Sequence, residues 1–174
     1  MLYDDGTLVL QLGGAKDSGK TLVARYTNIE TDYDYVSNVP WNSNMANIKS
    51  VYFNSPMTVN TAYWFYNAKN LKTVDATNLS DSNMSFAYCN CYNLTSSPVC
   101  GPNVTNMTRA YYECCNLTGG PVCGPNVTSM EYAYTNCRKL TGSPVCGENV
   151  TVMWFTYQNC INLIGSPVCG DKVT

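Results

Sequence analysis

Two sets of residues have types and spacings that could do chemistry. The first is the run Gly14 to Thr21, in which Gly14, Gly19, Lys20 and Thr21 fit the phosphate-binding pattern G-x4-G-K-[ST] behind a strand-like stretch, Thr7–Leu12. Such a loop cradles phosphates with its backbone amides and opens a helix whose N-terminus faces the anion. The residues after Thr21 are rich in β-branched and aromatic side chains (Val23, Tyr26, Thr27, Ile29), a poor helix opening. The pattern also needs several βαβ units, and a different periodicity begins by residue 47. No apolar strand ends in a convincing magnesium-binding Asp. The run reads as a flexible hairpin turn rich in Gly, Ser, Asp and Lys.

The second set is the ten cysteines. Eight are periodic. Cys91, Cys114, Cys137 and Cys160 form one column, and Cys100, Cys123, Cys146 and Cys169 form another. Stacked at the strand spacing of about 4.8 Å, neighbours in a column come within disulfide range. The first column reads as small buried hydrophobes in the reduced state. The second lies beside Gly and could pair between copies or back to the first column. Cys89 and Cys115 break the pattern and read as surface residues. There are no C-x2-C knuckles and no His at all, so no metal site, no cofactor and no common general base is expected.

The elements that carry these cysteines recur. From Asn83 to Thr174 one phrase is written four times, at 83–105, 106–128, 129–151 and 152–174. Met84, Met107, Met130 and Met153 are 23 residues apart, as are Leu94, Leu117, Leu140 and Leu163. A period of this size marks units too small to bury their own apolar face, which stack on one another. Residues 47–82 carry the period in blurred form: Asn47 to Val51 match Asn70 to Val74. Residues 1–46 differ and read as a small β-rich cap with strands over Thr7–Leu12 and Thr21–Tyr26. Within one copy, Met84, Ala87, Tyr88, Cys91 and Leu94 fall on one face of a short helical or turn segment; the fourth copy has Thr156 for Ala. Pro98 and its copies interrupt any strand, and Gly101, Gly124, Gly147 and Gly170 read as turn glycines. Val104 and its copies point inward.

Composition sets the outer bounds. Of the 174 residues 13% are charged and the net charge is -2, which argues against an electrostatic nucleic-acid footprint. No apolar run is long enough to cross a bilayer. The acidic start (Asp4, Asp5) is unlike a secretory signal, so either a signal has been removed or the protein leaves its cell another way, for example by lysis. The chain stops where a unit closes, without a polar cap, so the natural protein is expected to continue or to dock through that end.

Ala87-Tyr88-x-x-Cys91-x-x-Leu94 resembles the A-F-x-x-C-x-x-L core of BspA-like leucine-rich repeats, the Treponema type, with a unit of similar length. The opening residues Tyr3 to Val9, with Val39-Pro40-Trp41 and Ile48 to Val51, are similar to the N-terminal region of such bacterial surface proteins. The resemblance covers nearly the whole chain. It departs at Ser97-Pro98-Val99-Cys100, where the family has Ile or Leu in its strand. It implies an α/β repeat solenoid, a right-handed leucine-rich-repeat-like coil of short strands and helical turns behind the β-rich cap. It also implies a cell-surface recognition or adhesion module.

Positions that change between copies flank the constant ones and are expected to face outward: Ser85, Thr108, Glu131 and Trp154; Phe86, Arg109, Tyr132 and Phe155; Cys89, Tyr112, Thr135 and Gln158; Tyr92, Cys115, Arg138 and Ile161. Aromatic residues and Arg dominate interface energies. Arg109, Tyr112, Tyr132, Trp154 and Phe155 are therefore the candidate partner-binding residues. The expected role is non-enzymatic binding of a protein or glycan on a host or neighbouring cell, extracellular or at the cell surface. The alternative is a structural part of a phage tail fibre, virion or filament, assembling through the uncapped end. The sequons at Asn93, Asn103, Asn116, Asn126 and Asn149 read as structural Asn and Thr. A periodic Thr column (Thr105, Thr128, Thr151, Thr174) leaves an ice-binding reading conceivable, but Pro and Gly crowd that face.

Overall fold

The computed structural model describes residues 1–11, 19–26, 29, 33, 35–96 and 98–173. Among these residues seven strands are formed: β1 (Leu2–Tyr3), β2 (Thr7–Leu10), β3 (Leu22–Ala24), β4 (Ser50–Phe53), β5 (Met57–Val59), β6 (Thr73–Asp75) and β7 (Leu79–Asp81). They make a five-stranded sheet, ordered β3-β1-β2-β4-β6, and a two-stranded sheet, β5-β7. The β1 pairings are antiparallel and the others parallel.

The first turn shows how the sequence sets this up. Asp5 accepts the Thr7 amide at 2.8 Å. Gly6 sits at φ +86, where a Cβ would lie 2.6 Å from the Asn47 carbonyl; only Gly fits there. The chain reverses, and β2 buries its side chains and pairs with β4 in the register Leu8↔Val51, Leu10↔Phe53. Residues 1–46 thus share one sheet with β4 and β6.

The expected α/β coil of strands and helical turns is overturned. Among the described residues the only helical elements are 3-10 helices at Val36–Asn38 and Asn42–Asn47. The larger sheet is mixed, and beyond β7 the four copies share no strand ladder among the described residues, only isolated bridges such as Asn83↔Asn106, Asn106↔Ser129 and Ser129↔Val152, so no solenoid closes. Two causes are visible. The position of Tyr52 in β4 and Asp75 in β6 becomes Pro98, Pro121, Pro144 and Pro167 one period at a time, and Pro has no N–H for a ladder. The position of Ser50 and Thr73 becomes Gly119, Gly142 and Gly165, all at φ near +86.

The segment expected to be helical is a run of tight turns. Ala87, Cys89 and Cys91 donate to Met84, Phe86 and Tyr88, three residues back, at 3.0–3.2 Å. The alternate amides, of Phe86, Tyr88 and Asn90, donate instead to Thr108, Ala110 and Tyr112 of the next turn at 2.8–2.9 Å. Positive φ at Phe86 (57) and Asn90 (62) turns those peptides outward and forbids a continuous helix. The same bonding recurs at Arg109, Tyr111 and Glu113, and at Tyr132, Tyr134 and Asn136.

Inside, the constant residues are buried as continuous columns of Met, Ala, Tyr, Cys, Leu and Val. Phe65, Tyr88, Tyr111, Tyr134 and Tyr157 stack ring on ring at 5.3–5.7 Å, within 12° of parallel. The stack meets Trp41 at 5.9 Å through Phe65. Trp41 packs edge-on against Trp64 at 5.2 Å and donates its indole N–H to the Trp64 carbonyl at 2.7 Å.

Candidate functional site

The turns 62–67, 85–90, 108–113, 131–136 and 154–159 place one large side chain each at the same outer corner. These are Tyr63, Phe86, Arg109, Tyr132 and Phe155, which form a ladder. Tyr63 and Phe86 stack at 4.9 Å and 9°. The Arg109 guanidinium lies 5.4 Å from the Phe86 centroid and 4.9 Å from that of Tyr132. Tyr132 and Phe155 stack at 5.1 Å and 18°. Arg109 is thus held between two ring faces, each such contact contributing about 0.5–1 kcal/mol near the surface. A second row flanks the first: Tyr66 lies 6.2 Å from Tyr63, and Tyr112 lies edge-on 6.4 Å from Tyr132.

All five ladder residues have positive φ, between 53 and 63. A bulky residue there is a true outlier. The conformation is held because each ladder amide from Tyr63 to Tyr132 donates to a carbonyl of the following turn, at 2.8–3.2 Å. Four residues further on, Asn67, Asn90, Glu113, Asn136 and Asn159 also have positive φ. Their side chains form a polar ladder: Asn90 donates to Asn67 at 2.9 Å, Asn136 to Glu113 at 2.6 Å and Asn159 to Asn136 at 2.8 Å.

Of the expected binding residues, Arg109, Tyr132 and Phe155 stand in one stack and Tyr112 beside it. Trp154 is exposed at 58% next to Phe155, and its carbonyl accepts the Tyr132 amide at 2.8 Å. Other residues expected at the surface lie inside. Cys89 is buried, and burial pushes its thiol up to about 12, with Arg109 opposing and Glu113 adding to the shift. Thr135 is buried and donates to the Phe155 carbonyl at 2.5 Å. Both are small enough to fit beneath the ladder. Tyr63 and Tyr66 were absent from the expected set, although counting back one period from Phe86 reaches Tyr63.

The cysteine columns differ in setting. Cys91, Cys114, Cys137 and Cys160 each donate to a backbone carbonyl at 2.9–3.1 Å and are buried, which raises their thiol pKa values. Cys100, Cys123 and Cys146 are half-buried and Cys169 is exposed; all ten are free thiols. Among the described residues no group of three or more His, Cys, Asp or Glu is placed to hold a metal, and no helix is long and apolar enough to cross a membrane.

The phosphate-binding pattern lies partly outside the described residues. Where it is described, Lys20 forms an ion pair with Asp5 at 3.1 Å and donates to Thr7 at 3.2 Å. Thr21 leads into β3 rather than a helix. The sequon Asn side chains donate one turn back: Asn93 to Lys69, Asn116 to Tyr92, Asn126 to Pro102 and Asn149 to Pro125, all at 2.8–2.9 Å, and Asn103 to the Ser80 hydroxyl at 3.0 Å. Thr105, Thr128 and Thr151 likewise donate their hydroxyls one turn back.

One buried charge lies where β7 meets the turns. Asp81 accepts from the Thr61 hydroxyl, from the Thr61 amide at 3.2 Å and from the Asn83 amide at 3.0 Å. Burial pushes its carboxyl up to about 6 against those hydrogen bonds. It borders a cavity of about 150 Å³ shared with Leu79, Met84 and Cys100. No family model, curated protein or solved structure matches the chain.

Proposed function

We propose that the chain is a non-enzymatic recognition module that holds a protein or glycan partner on the ladder Tyr63, Phe86, Arg109, Tyr132 and Phe155, at a cell surface or elsewhere outside the cell. The backbone of that ladder carries the reading. A bulky side chain in the left-handed region costs about 1–2 kcal/mol, and Gly takes that conformation freely. Four aromatic residues and one Arg are retained there, so the side chains themselves are what the position serves. Stacked face to face, the rings turn their edges outward. Ring edges are the positive part of the aromatic quadrupole, so they favour carbonyl, carboxylate and hydroxyl oxygens or the face of another ring. Arg109 adds donors in the same row. The likeness of Ala87-Tyr88-x-x-Cys91-x-x-Leu94 to the repeats of bacterial surface proteins points the same way.

The test is a variant with Arg109, Tyr132 and Phe155 all changed to Gly. Its melting temperature is expected to hold or rise, because strain is relieved at three sites, while binding in a screen of surface proteins and glycans falls at least tenfold. A variant that binds every wild-type ligand with unchanged affinity sinks the proposal. The second reading, a structural subunit of a tail fibre, virion or filament, is favoured by exposed Ile161, Ile164 and Val168 on the last turn. End-to-end particles in electron micrographs of the purified protein, absent for Ile164→Asp, would support it.

A further inference from the structure

One inward column is broken by a charge. Val59, Val104, Val127 and Val150 are buried at matching places in their turns. Val59 pairs with Asp81 across β5 and β7, and Asp81 stands 23 residues before Val104. Asp81 is thus a carboxylate in a column of valines, 2% exposed. Its hydrogen bonds come from neutral donors, the Thr61 hydroxyl and the amides of Thr61, Ser82 and Asn83. Among the described residues no Lys or Arg forms an ion pair with it; the ion pair that does form joins Lys20 to Asp5. A buried carboxylate without a counter-charge costs free energy. The carboxylate borders the cavity of about 150 Å³, which has room for roughly six non-hydrogen atoms. Asp81 and Met84 are the buried part of its wall, and Ala76, Leu79, Val99 and Cys100 are half-buried and lead towards solvent. A second unsatisfied group belongs to the same place. Tyr111 uses its hydroxyl on the Val99 amide and carbonyl. One turn earlier, the buried Tyr88 hydroxyl has no hydrogen-bond partner among the described residues, and the counterpart of Val99 is Ala76, on the cavity wall.

We propose that this cavity binds a small primary ammonium ion, held by Asp81, with a short alkyl stem against Leu79, Met84 and Val99. The wall selects that class of ligand. A calcium or magnesium ion needs about six oxygen ligands, and beside Asp81 the side chains of the wall offer carbon and sulfur. A primary ammonium needs one carboxylate for a charge-assisted hydrogen bond. Its remaining donors suit a hydroxyl such as that of Tyr88, which lies within electrostatic range of Asp81. Its carbon stem gains from leaving water for the apolar part of the wall. An alcohol of the same size fits the space but leaves the carboxylate without a counter-charge.

The experiment titrates the full chain with ethylammonium chloride at pH 7 and follows amide chemical shifts, with ethanol as the neutral counterpart and sodium chloride as the ionic control. Saturable shifts at residues 76–84 and 99–101 are expected for ethylammonium. Ethanol should bind roughly tenfold more weakly or worse, and sodium should give no saturable shift there. Asp81→Asn should lose ethylammonium binding by roughly tenfold or more, and Ala76→Leu, which keeps the carboxylate and fills the cavity, should lose it too. At pH 5 the wild type should bind more weakly than at pH 7, because burial pushes the Asp81 carboxyl up to about 6 and it is then largely protonated. The other titratable groups at the site, Cys100 and Tyr88, are raised by burial and keep their protons throughout. Wild-type protein with no saturable shift at these residues overturns the proposal, as do equal affinities for ethylammonium and ethanol. Undiminished binding by Ala76→Leu overturns it as well, and this variant decides the matter if Asp81→Asn does not fold.

Discussion

Successive turns are joined in two different ways in this molecule. In the amino-terminal part, up to β7, the backbone joins them: β2, β4 and β6 pair in parallel, and β5 pairs with β7. From residue 83 on, side chains take over much of that role. Val99, Val122 and Val145 hold the position of Phe53 in β4, but among the described residues they belong to no strand. Their amide and carbonyl are instead satisfied by one hydroxyl of the following turn. Tyr111 accepts from the Val99 amide at 3.0 Å and donates to its carbonyl at 2.8 Å, and Tyr134 and Tyr157 do the same for Val122 and Val145. Asn, Thr and Cys side chains supply further bonds between turns. The difference explains why the early units are blurred and the later ones nearly identical. A strand ladder tolerates any residue with an N–H, whereas a Tyr hydroxyl or an Asn amide must be that residue in every turn.

Four substitutions would break or sharpen this contrast. The largest effect is expected at Trp64, fully buried against Trp41, Phe53 and Phe65 in the strand-paired part. Trp64→Ala should cost about 3–5 kcal/mol in denaturant unfolding. Because Phe65 stacks on Tyr88 at 5.6 Å, the loss should also lower hydrogen-exchange protection beyond residue 83. If protection there is unchanged, the two parts fold independently.

Asp81 stands at the changeover. Its folded carboxyl is raised from 3.8 to about 6, so the native state favours the protonated form. The stability this contributes is complete below about pH 4 and is lost as pH rises through about 6, amounting to at most about 3 kcal/mol by pH 7. Asp5 and Asp75 are lowered by their Thr partners and act in the opposite sense, losing stability as pH falls. Asp81→Asn should therefore gain on the wild type as pH rises from 4 to 7. Parallel stability curves for the two proteins would show that Asp81 ionises as freely as in the unfolded chain.

The smallest effect separates neighbouring members of one column. Tyr111→Phe strands the Val99 amide and carbonyl and should cost about 1–3 kcal/mol. Tyr88 stands one turn earlier, at the edge of the strand-paired part, and its buried hydroxyl has no hydrogen-bond partner among the described residues. Tyr88→Phe should be neutral or stabilising by up to about 1 kcal/mol. Equal losses at both positions would mean that the hydroxyls do not take over from the strands.

What could be read from the sequence follows the same division. The inward columns were legible because constant apolar residues at fixed spacing have one physical use, and Met84, Ala87, Tyr88, Cys91 and Leu94 all lie in the core. Pro98 announced an interruption of the strand. The left-handed ladder was not legible: Gly and Asn normally mark positive φ, and Tyr63, Phe86, Arg109, Tyr132 and Phe155 give no such sign. Their conformation is imposed by bonds to a turn more than 20 residues away in sequence, which local preference cannot register. The helical reading failed for the same reason, since spacings of 3 and 4 suit a helix and a run of tight turns alike. Cys89 shows the limit of reading variation as exposure, because a small residue beneath a ladder varies as freely as one in solvent.

The bonds between turns have a mechanical meaning. Each turn of the later part is tied mainly to the one before it and the one after it, by a similar set of backbone and side-chain bonds. Pulled apart from its two ends, such a chain loads one boundary at a time. Every turn that peels away frees 23 residues, roughly 80 Å of extended chain. Force would therefore be released in near-equal steps until the peeling reached β7, where paired strands and the Trp41–Trp64 core would resist more strongly. The molecule would behave under tension as a ratchet of uniform links ending in a stiffer anchor.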